Sequence, residues 1–75
     1  KLMNEYYFAL YLSYSECLDY YHGKYKSVQV TEDGGKTVRF DANHLRPFIS
    51  SLGIRGRFRL TLTAENQFLK LEKIS

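Results

Sequence analysis

A chain of 75 residues with seven tyrosines and five phenylalanines is long enough for one small packed domain and too short for a second. This aromatic content and an apolar content of 44% argue against a disordered chain, and a single cysteine excludes an internal disulfide framework. The net charge of +3 is unevenly placed, with three basic and five acidic groups in residues 1–34 against eight and three in residues 35–75.

Composition also bears on location and on the extent of the domain. Since no apolar run approaches the roughly 20 residues of a membrane span, we expect no membrane association. The lack of paired cysteines favours a reducing cytoplasm. Met3 is the only methionine, so we expect Lys1 and Leu2 to be a cloning remnant and residues 3–75 to form one domain.

The first element predicted along the chain is a strand over residues 6–12, which is rich in aromatic side chains. Alternation divides its side chains between two faces, one formed by Tyr6, Phe8, Leu10 and Leu12 and the other by Tyr7, Ala9 and Tyr11. Both faces are largely apolar. The second face is therefore either covered within the chain or available to a partner.

A helix over residues 14–22 is predicted next. Ser13 and Glu16 have the spacing of a capping box, in which each side chain bonds the backbone amide of the other residue. Apolar side chains then follow with helical spacing at Tyr14, Cys17, Leu18 and Tyr21. Gly23 is suited to the left-handed conformation that ends a helix.

Two alternating segments, residues 27–32 and 36–41, predict a β-hairpin. Their inward positions are expected to be Val28, Val30, Val38 and Phe40. Asp33-Gly34-Gly35 lies between them, and glycine tolerates the positive φ that a tight turn requires.

Residues 41–54 contain the only proline and predict an irregular corner. Asp41 can cap one helical turn, Pro47 blocks its continuation and can begin a second turn, and Gly53 ends the second. The apolar side chains of this corner are expected to close one end of the core: Leu45, Phe48, Ile49, Leu52 and Ile54.

Two further strands, residues 55–64 and 68–74, complete the chain. The outward positions of the first strand are Arg55, Arg57, Arg59, Thr61 and Thr63. Gly56 faces inward, which indicates a bulge or a close approach of another backbone. In the last strand, alternation places Leu69 and Leu71 on one face and Phe68, Lys70 and Glu72 on the other.

This order of elements predicts an α+β single domain with one amphipathic helix and a curled, mainly antiparallel sheet of about five strands (β-α-β-β-short helical turn-β-β). So small a sheet must curl around the helix or half-close into a barrel to cover its apolar face. The sequence leaves both arrangements open.

Several short motifs lie at defined places among these elements. They are Tyr21-His22-Gly23 at the helix end, Asp33-Gly34 in the hairpin, Phe40-Asp41-Ala42 before Leu45-Arg46-Pro47-Phe48, and Gly53-Ile54-Arg55-Gly56-Arg57-Phe58. In this combination the chain resembles the small bacterial family catalogued as domain of unknown function 2835. Asp41 departs from the family, in which proline is more frequent at that position. The resemblance implies one domain over most of the chain and no particular chemistry.

Catalytic and metal-binding patterns are weak in this sequence. Cys17 lies on the apolar stripe of the predicted helix, so it is expected to be a buried structural thiol rather than a nucleophile paired with His22. His44 has no partners in a triad pattern, and one cysteine with two histidines matches no metal motif. Glu16 and Asp19 are expected to serve the helix dipole. We therefore expect a non-enzymatic protein without a metal or cofactor.

The strongest functional pattern is the arginine row, which consists of Arg55, Arg57 and Arg59. Alternation places the three guanidinium groups on one face at intervals of about 6–7 Å, close to the spacing of phosphates along a nucleic-acid strand. Further basic residues are candidates to extend the row: Lys36, Arg39, Arg46 and Lys70. Arg46 is alternatively suited to pairing with Asp41 or capping a carbonyl. Aromatic side chains that would stack on bases are not expected on this face.

The tyrosines suggest a different function. All seven lie within the first 25 residues, and Tyr7 and Tyr11 share the second face of the first strand. An exposed tyrosine patch is suited to a protein partner, and dimer burial would help a domain with so thin a core. The sequence thus favours a binding module that uses the arginine row for nucleic acid or another polyanion. The alternatives are a homodimeric or protein-interaction domain that uses the tyrosines, and a solvated face with no ligand.

Overall fold

A computed structural model describes residues 3–75, and the expected remnant Lys1-Leu2 lies outside the described residues. The elements in chain order are β1 (Met3–Leu12), α1 (Tyr14–Tyr21), β2 (Ser27–Thr31), β3 (Thr37–Asp41), a 3₁₀ helix (Ala42–Phe48), β4 (Ile54–Thr63) and β5 (Phe68–Lys73). All the strand pairs are antiparallel, which confirms the predicted α+β class and element order.

The five strands divide into two sheets. One has the order β1-β4-β5 with β4 in the middle, and the other is the β2-β3 hairpin. The ring of Phe8 in β1 lies 6.0 Å from that of Phe58 in β4 and 6.1 Å from that of Phe40 in β3. The apolar face of the three-stranded sheet is thus covered by the hairpin, in addition to the helical segments.

One cluster of buried side chains forms the core. It consists of Phe8, Leu10, Cys17, Val28, Val30, Val38, Phe40, Ala42, Leu45, Ile54, Phe58, Leu60 and Leu62. The inward positions predicted for the hairpin are all in this cluster, which confirms the alternation there. The helix α1 contributes Cys17 as its one fully buried side chain.

The predicted caps and turns are present. Ser13 and Glu16 form the capping box, with a bond of 3.1 Å from the Glu16 amide to Ser13 Oγ and one of 2.8 Å from the Ser13 amide to Glu16 Oε1. Gly23 has a φ of 82° at the end of α1. Asp41 caps the 3₁₀ helix by accepting a bond of 2.8 Å from the Asn43 amide.

The corner differs from the prediction in two respects. The 3₁₀ helix continues through Pro47 instead of breaking there, because proline has a helical φ and removes only one short-range hydrogen bond. Leu52 is 73% exposed instead of closing the core. Ser50 and Gly53 exchange two backbone bonds of 3.0 and 2.9 Å, and this tight turn carries Leu52 at its tip.

Strand β5 differs from simple alternation because it contains a bulge. Thr61 pairs with Lys70 while Leu62 pairs with Phe68, so Leu69 is an extra residue on β5. Phe68 and Leu71 therefore both pack against the core, and Leu69 is exposed. The prediction that Leu69 and Leu71 share a face is wrong for this reason.

Gly56 marks a close approach of another backbone, that of Ser75, which is one of the two possibilities that its inward position predicts. Its φ is 149°, and a Cβ atom at this residue would lie 2.5 Å from the carbonyl oxygen of Ser75. Residues 74–75 continue the pairing of β5 with β4, with a bond of 2.8 Å from the Ile74 amide to the Arg57 carbonyl.

Candidate functional site

The two candidate surfaces predicted from sequence lie on one face of the three-stranded sheet. In the register of β1 on β4, Arg55 pairs with Tyr11, Arg57 with Ala9 and Arg59 with Tyr7. Directly paired residues of antiparallel strands project to the same side. We call this surface the outer face, and it comprises Met3, Glu5, Tyr7, Ala9, Tyr11, Arg55, Arg57, Arg59, Thr61, Thr63, Lys70 and Glu72.

The expectation that no aromatic side chains adjoin the arginine row is therefore wrong. The aromatic residues come from β1, which is separated from β4 by more than forty residues of chain. Alternation within each strand shows which side chains share a face of that strand. It does not show which strand lies alongside or in which register, so the sequence contained no direct signal for this pairing.

Arg57 is held by a carboxylate from the tip of the β2–β3 hairpin. Its Nη1 donates to Asp33 Oδ1 over 3.1 Å and its Nη2 donates to Asp33 Oδ2, which makes the pair bidentate. The Asp33 amide also donates to the Tyr7 carbonyl over 2.7 Å, so the hairpin tip is anchored to the edge of β1. The Arg57 guanidinium holds the pKa of the Asp33 carboxyl below its usual value.

Arg59 is held by a carboxylate from β5. Its Nε donates to Glu72 Oε1 over 2.9 Å, and Lys70 Nζ lies 3.8 Å from Glu72 Oε2. The hydrogen bond from Arg59 lowers the pKa of Glu72, and the same hydrogen bond is the main cause that raises the pKa of Arg59. Two of the three arginines in the row are therefore paired with acidic groups.

Arg55 is the unpaired member of the row. Among residues 3–75 no salt bridge involves it, and its side chain is exposed. Tyr11 is 65% exposed beside it, and these two residues and Leu52 line a groove of about 290 Å³. The uncompensated positive charge of the outer face thus lies at this end, next to two exposed apolar side chains.

Thr61 departs from the predicted solvated row because it is completely buried. It lies on the central strand, with Glu5 paired on one side and Lys70 on the other. These longer neighbours shield a short side chain between them. Its Oγ1 atom has no hydrogen-bond partner within the described chain.

Three residues predicted to extend the arginine row lie elsewhere. Lys36 Nζ is 5.5 Å from the ring centroid of Tyr6, whose side chain packs against the core. Arg39 alternates with buried side chains of β3 and bonds Gln29 at 2.9 Å, so it projects from the opposite side of the molecule. Arg46 lies over the Tyr21 ring at 4.7 Å and bonds the Tyr21 carbonyl at 3.3 Å, which agrees with its alternative capping role.

The remaining reactive side chains are dispersed. Cys17 is fully buried, and burial raises the pKa of its thiol. His22 is exposed at the end of α1, whereas the His44 ring stacks on that of Phe68 with 3.5 Å between centroids. Over residues 3–75 no three His, Cys, Asp or Glu side chains lie close enough to hold a metal ion. No helix in the same range has the length and apolar character to cross a membrane.

Comparison with known proteins identifies the family to which the chain belongs. No curated protein and no solved structure matches the chain significantly. The family model described as "Protein of unknown function (DUF2835)" matches residues 4–74, nearly the whole length. This match agrees with the resemblance carried by the helix-end, hairpin and corner motifs, and the chain belongs to the DUF2835 family.

Proposed function

We propose that this protein is a non-enzymatic interaction domain that binds a protein partner through its outer face. The observation that carries the proposal is the register that places Tyr7 and Tyr11 beside the arginine row. Tyrosine and arginine are enriched in protein interfaces and among the residues that contribute most to binding. Tyr11 and Arg55 are both exposed, so these side chains are available to a partner.

The balance of charge on this face supports a protein partner over a phosphate backbone. Four basic side chains of the face (Arg55, Arg57, Arg59 and Lys70) are accompanied by two acidic ones of the same face, Glu5 and Glu72, and by Asp33 of the adjoining hairpin tip. A surface of interspersed charges matches the mixed surface of a protein, whereas affinity for nucleic acid depends on uncompensated positive charge. A cytoplasmic location is part of the proposal, and the free thiol of Cys17 supports it.

Photo-crosslinking at the outer face tests the proposal. Benzoylphenylalanine in place of Tyr11 is expected to give a discrete heavier product in cells that naturally produce the protein. The matched control is benzoylphenylalanine in place of Gln29, an exposed strand residue of the β2–β3 sheet. A protease-sensitive product at position 11 but not at position 29 supports the proposal. No product at position 11, or the same products at both positions, contradicts it.

A second candidate function is binding of single-stranded nucleic acid or another polyanion. It is favoured by one specific observation, the position of Tyr7 and Tyr11 next to the arginines, because aromatic rings stack on bases while arginines contact phosphates. Phosphates would have to displace Asp33 and Glu72 from Arg57 and Arg59.

Fluorescence anisotropy with a labelled single-stranded oligonucleotide tests this second candidate. Binding at about 50 mM salt should weaken with a log–log slope of about 0.7 for each phosphate neutralised. Replacing the three arginines of the row by alanine should flatten the slope, whereas Arg39→Ala should leave it unchanged. Absence of binding to DNA and RNA at this salt concentration would exclude the candidate.

A further inference from the structure

Both edges of the three-stranded sheet carry features that hinder pairing with another strand, so we expect a partner to approach through a face. Along the β1 edge, the Asp33 amide of the hairpin tip already bonds the Tyr7 carbonyl. Along the β5 edge, the bulge at Leu69 interrupts the regular ladder, and Lys70 and Lys73 are exposed. Bulges and lysines are the usual means by which edge strands avoid pairing with another chain. The inner face is occupied by the core, and the outer face remains.

Among residues 3–75, the two charged side chains of the outer face that form no salt bridge lie towards its opposite ends. Glu5 lies near one end, where it accepts a hydrogen bond of 3.4 Å from the Tyr7 hydroxyl, and no salt bridge among residues 3–75 involves it. Arg55, the unpaired member of the arginine row, lies at the other end beside Tyr11. Position 5 is six residues from position 11 along β1, which is about 20 Å at the rise of a strand. Glu5 and Arg55 of one chain are therefore too far apart to pair with each other.

Between these ends, β1 presents a tall side chain next to a short one. Tyr7 and Ala9 are both on the outer face, and Ala9 is exposed. A two-fold axis across the strands at the level of position 8 would bring position 5 of one copy over position 11 of the other. The same axis would bring position 7 over position 9. Each phenol ring would then lie over the methyl group of the opposite alanine, and each Glu5 would lie beside the opposite Tyr11–Arg55 pair.

We propose that the outer face packs on the same face of a second copy of this chain around such an axis, with Tyr7 over Ala9 and Glu5 paired with Arg55 at both ends. This inference rests on the proposed function, since it names the partner of the outer face. The arrangement is isologous, so every contact occurs twice and the assembly closes as a dimer. Pairing of Glu5 with Arg55 selects this antiparallel stacking over a parallel one, in which Glu5 would meet Glu5. The same axis brings Arg57 over the opposite Arg59, and these two arginines are already paired with Asp33 and Glu72 of their own chain.

The area of the outer face indicates how tightly the two copies can bind. Three strands about 4.8 Å apart and up to about ten residues long cover roughly 450 Å² on each copy, or about 900 Å² in total. Stable interfaces usually bury about 1,200–2,000 Å² in total, so this dimer belongs to the weak class. We expect a dissociation constant between about 1 μM and about 1 mM.

Analytical ultracentrifugation of charge-reversal variants tests the arrangement. Across concentrations up to about 1 mM, the wild-type chain is expected to shift from monomer to dimer. Glu5→Arg alone and Arg55→Glu alone should each weaken dimerisation by about tenfold or more, since each places like charges together at both ends. The double variant Glu5→Arg/Arg55→Glu should return to within about threefold of wild type. Because the two residues are too distant to pair within one chain, such rescue requires contact between copies.

Two controls complete the experiment. Arg39→Glu reverses an exposed strand arginine on the opposite side of the molecule and should leave dimerisation unchanged. Ala9→Arg fills the position under the opposite tyrosine and should abolish the dimer. Thermal unfolding of each variant verifies that the fold is retained. A wild-type chain that stays monomeric at about 1 mM, or a dimer insensitive to both single reversals, overturns the inference.

The crosslinking experiment distinguishes this inference from the proposed function. A position-11 product with the mass of two copies of this chain supports both. A product with a different protein, formed by a chain that is monomeric in ultracentrifugation, supports the proposed function and overturns the dimer. A nuclease-sensitive product, or no product, overturns both.

Discussion

Among the residues of the outer face, Thr61 is distinguished by complete burial without a hydrogen-bond partner for its hydroxyl. A buried hydroxyl with no partner loses its bonds to water and gains none in the folded state. Thr63, two residues along the same strand, has the opposite situation. Its Oγ1 accepts bonds of 3.2 Å from the Glu65 amide and 3.0 Å from the Gln67 amide.

This contrast predicts opposite effects of the same substitution. Thr61→Val replaces an unpartnered hydroxyl by a methyl group of similar size, so the free energy of unfolding should rise by about 1 kcal/mol. Thr63→Val removes two accepted hydrogen bonds and should lower it by about 1–2 kcal/mol. Urea denaturation of both variants measures these changes. A Thr61→Val variant less stable than wild type would show that the hydroxyl has a partner in solution.

Gly53 is a second residue whose identity is dictated by its surroundings. Its φ is +90°, and a Cβ atom there would lie 2.0 Å from the Leu12 carbonyl oxygen. Gly35 has a similar φ of +94° in the hairpin turn but has no atom within 4 Å of a Cβ position. An alanine at position 35 would therefore meet backbone strain alone, whereas an alanine at position 53 would meet both strain and a direct clash.

Gly53→Ala should accordingly be far more destabilising than Gly35→Ala. Gly35→Ala is expected to cost about 1–2 kcal/mol, the penalty of an alanine at positive φ. Gly53→Ala carries that penalty and also forces the corner away from the end of β1, so we expect a loss of more than 3 kcal/mol. Thermal unfolding followed by circular dichroism measures both. Equal losses would mean that the corner moves away from β1 without strain.

Most of the secondary-structure elements follow local sequence patterns, and one strand does not. Helix α1 has eight residues and buries one side chain completely, so its first turn depends on the capping box. A helix this short is only marginally stable in isolation. Its capping hydrogen bonds add stability that the packing of one buried side chain does not provide. In the strands β1, β2, β3 and β4 the inward and outward positions alternate as predicted, although the outward Thr61 of β4 is buried. By contrast, the bulge in β5 reverses the expected faces of Phe68 and Leu69, because the pairing with β4 and not the sequence of β5 places the extra residue.

Removal of the helix cap should measurably destabilise the protein. Ser13→Ala eliminates the bond to the Glu16 amide and should lower the free energy of unfolding by about 1 kcal/mol. Ser15→Ala, an exposed substitution within the first turn of the same helix, is the control and should change it by less than about 0.5 kcal/mol. Urea denaturation of the two variants is the measurement. Equal effects of the two substitutions would argue that the cap contributes nothing to the folded state.

At the scale of the whole molecule, two carboxylates from different elements connect the layers and strands through the arginine row. Asp33 joins the β2–β3 hairpin to β4, and Glu72 joins β5 to β4. The arginines lower the pKa of both carboxyls in the folded protein. A carboxyl with a lowered pKa stabilises the fold at pH values above its unfolded pKa, which is near 4, and this stabilisation is lost as the pH falls through the folded pKa.

The stability of the protein should therefore decrease in acid. The contribution of these two groups to the free energy of unfolding should be nearly constant from neutral pH to about pH 5. At pH values below about 4 this contribution should decrease. The variant Asp33→Asn/Glu72→Gln lacks both groups and should lose less stability than wild type between pH 7 and pH 3. Urea denaturation at the two pH values gives the comparison. A variant with the same loss as wild type would show that the two ion pairs do not contribute to the pH dependence.

The sequence by itself determined the class, the number and order of the elements, the caps and turns, and most of the inward positions. These features depend on neighbours a few residues apart, such as Ser13 with Glu16 or the alternating valines of the hairpin. Only the tertiary structure decided the division into two sheets, the burial of Thr61, and the joining of Tyr7 and Tyr11 with the arginine row into one face. Those features depend on strand register, which is set by packing between distant segments, so no local pattern encodes it.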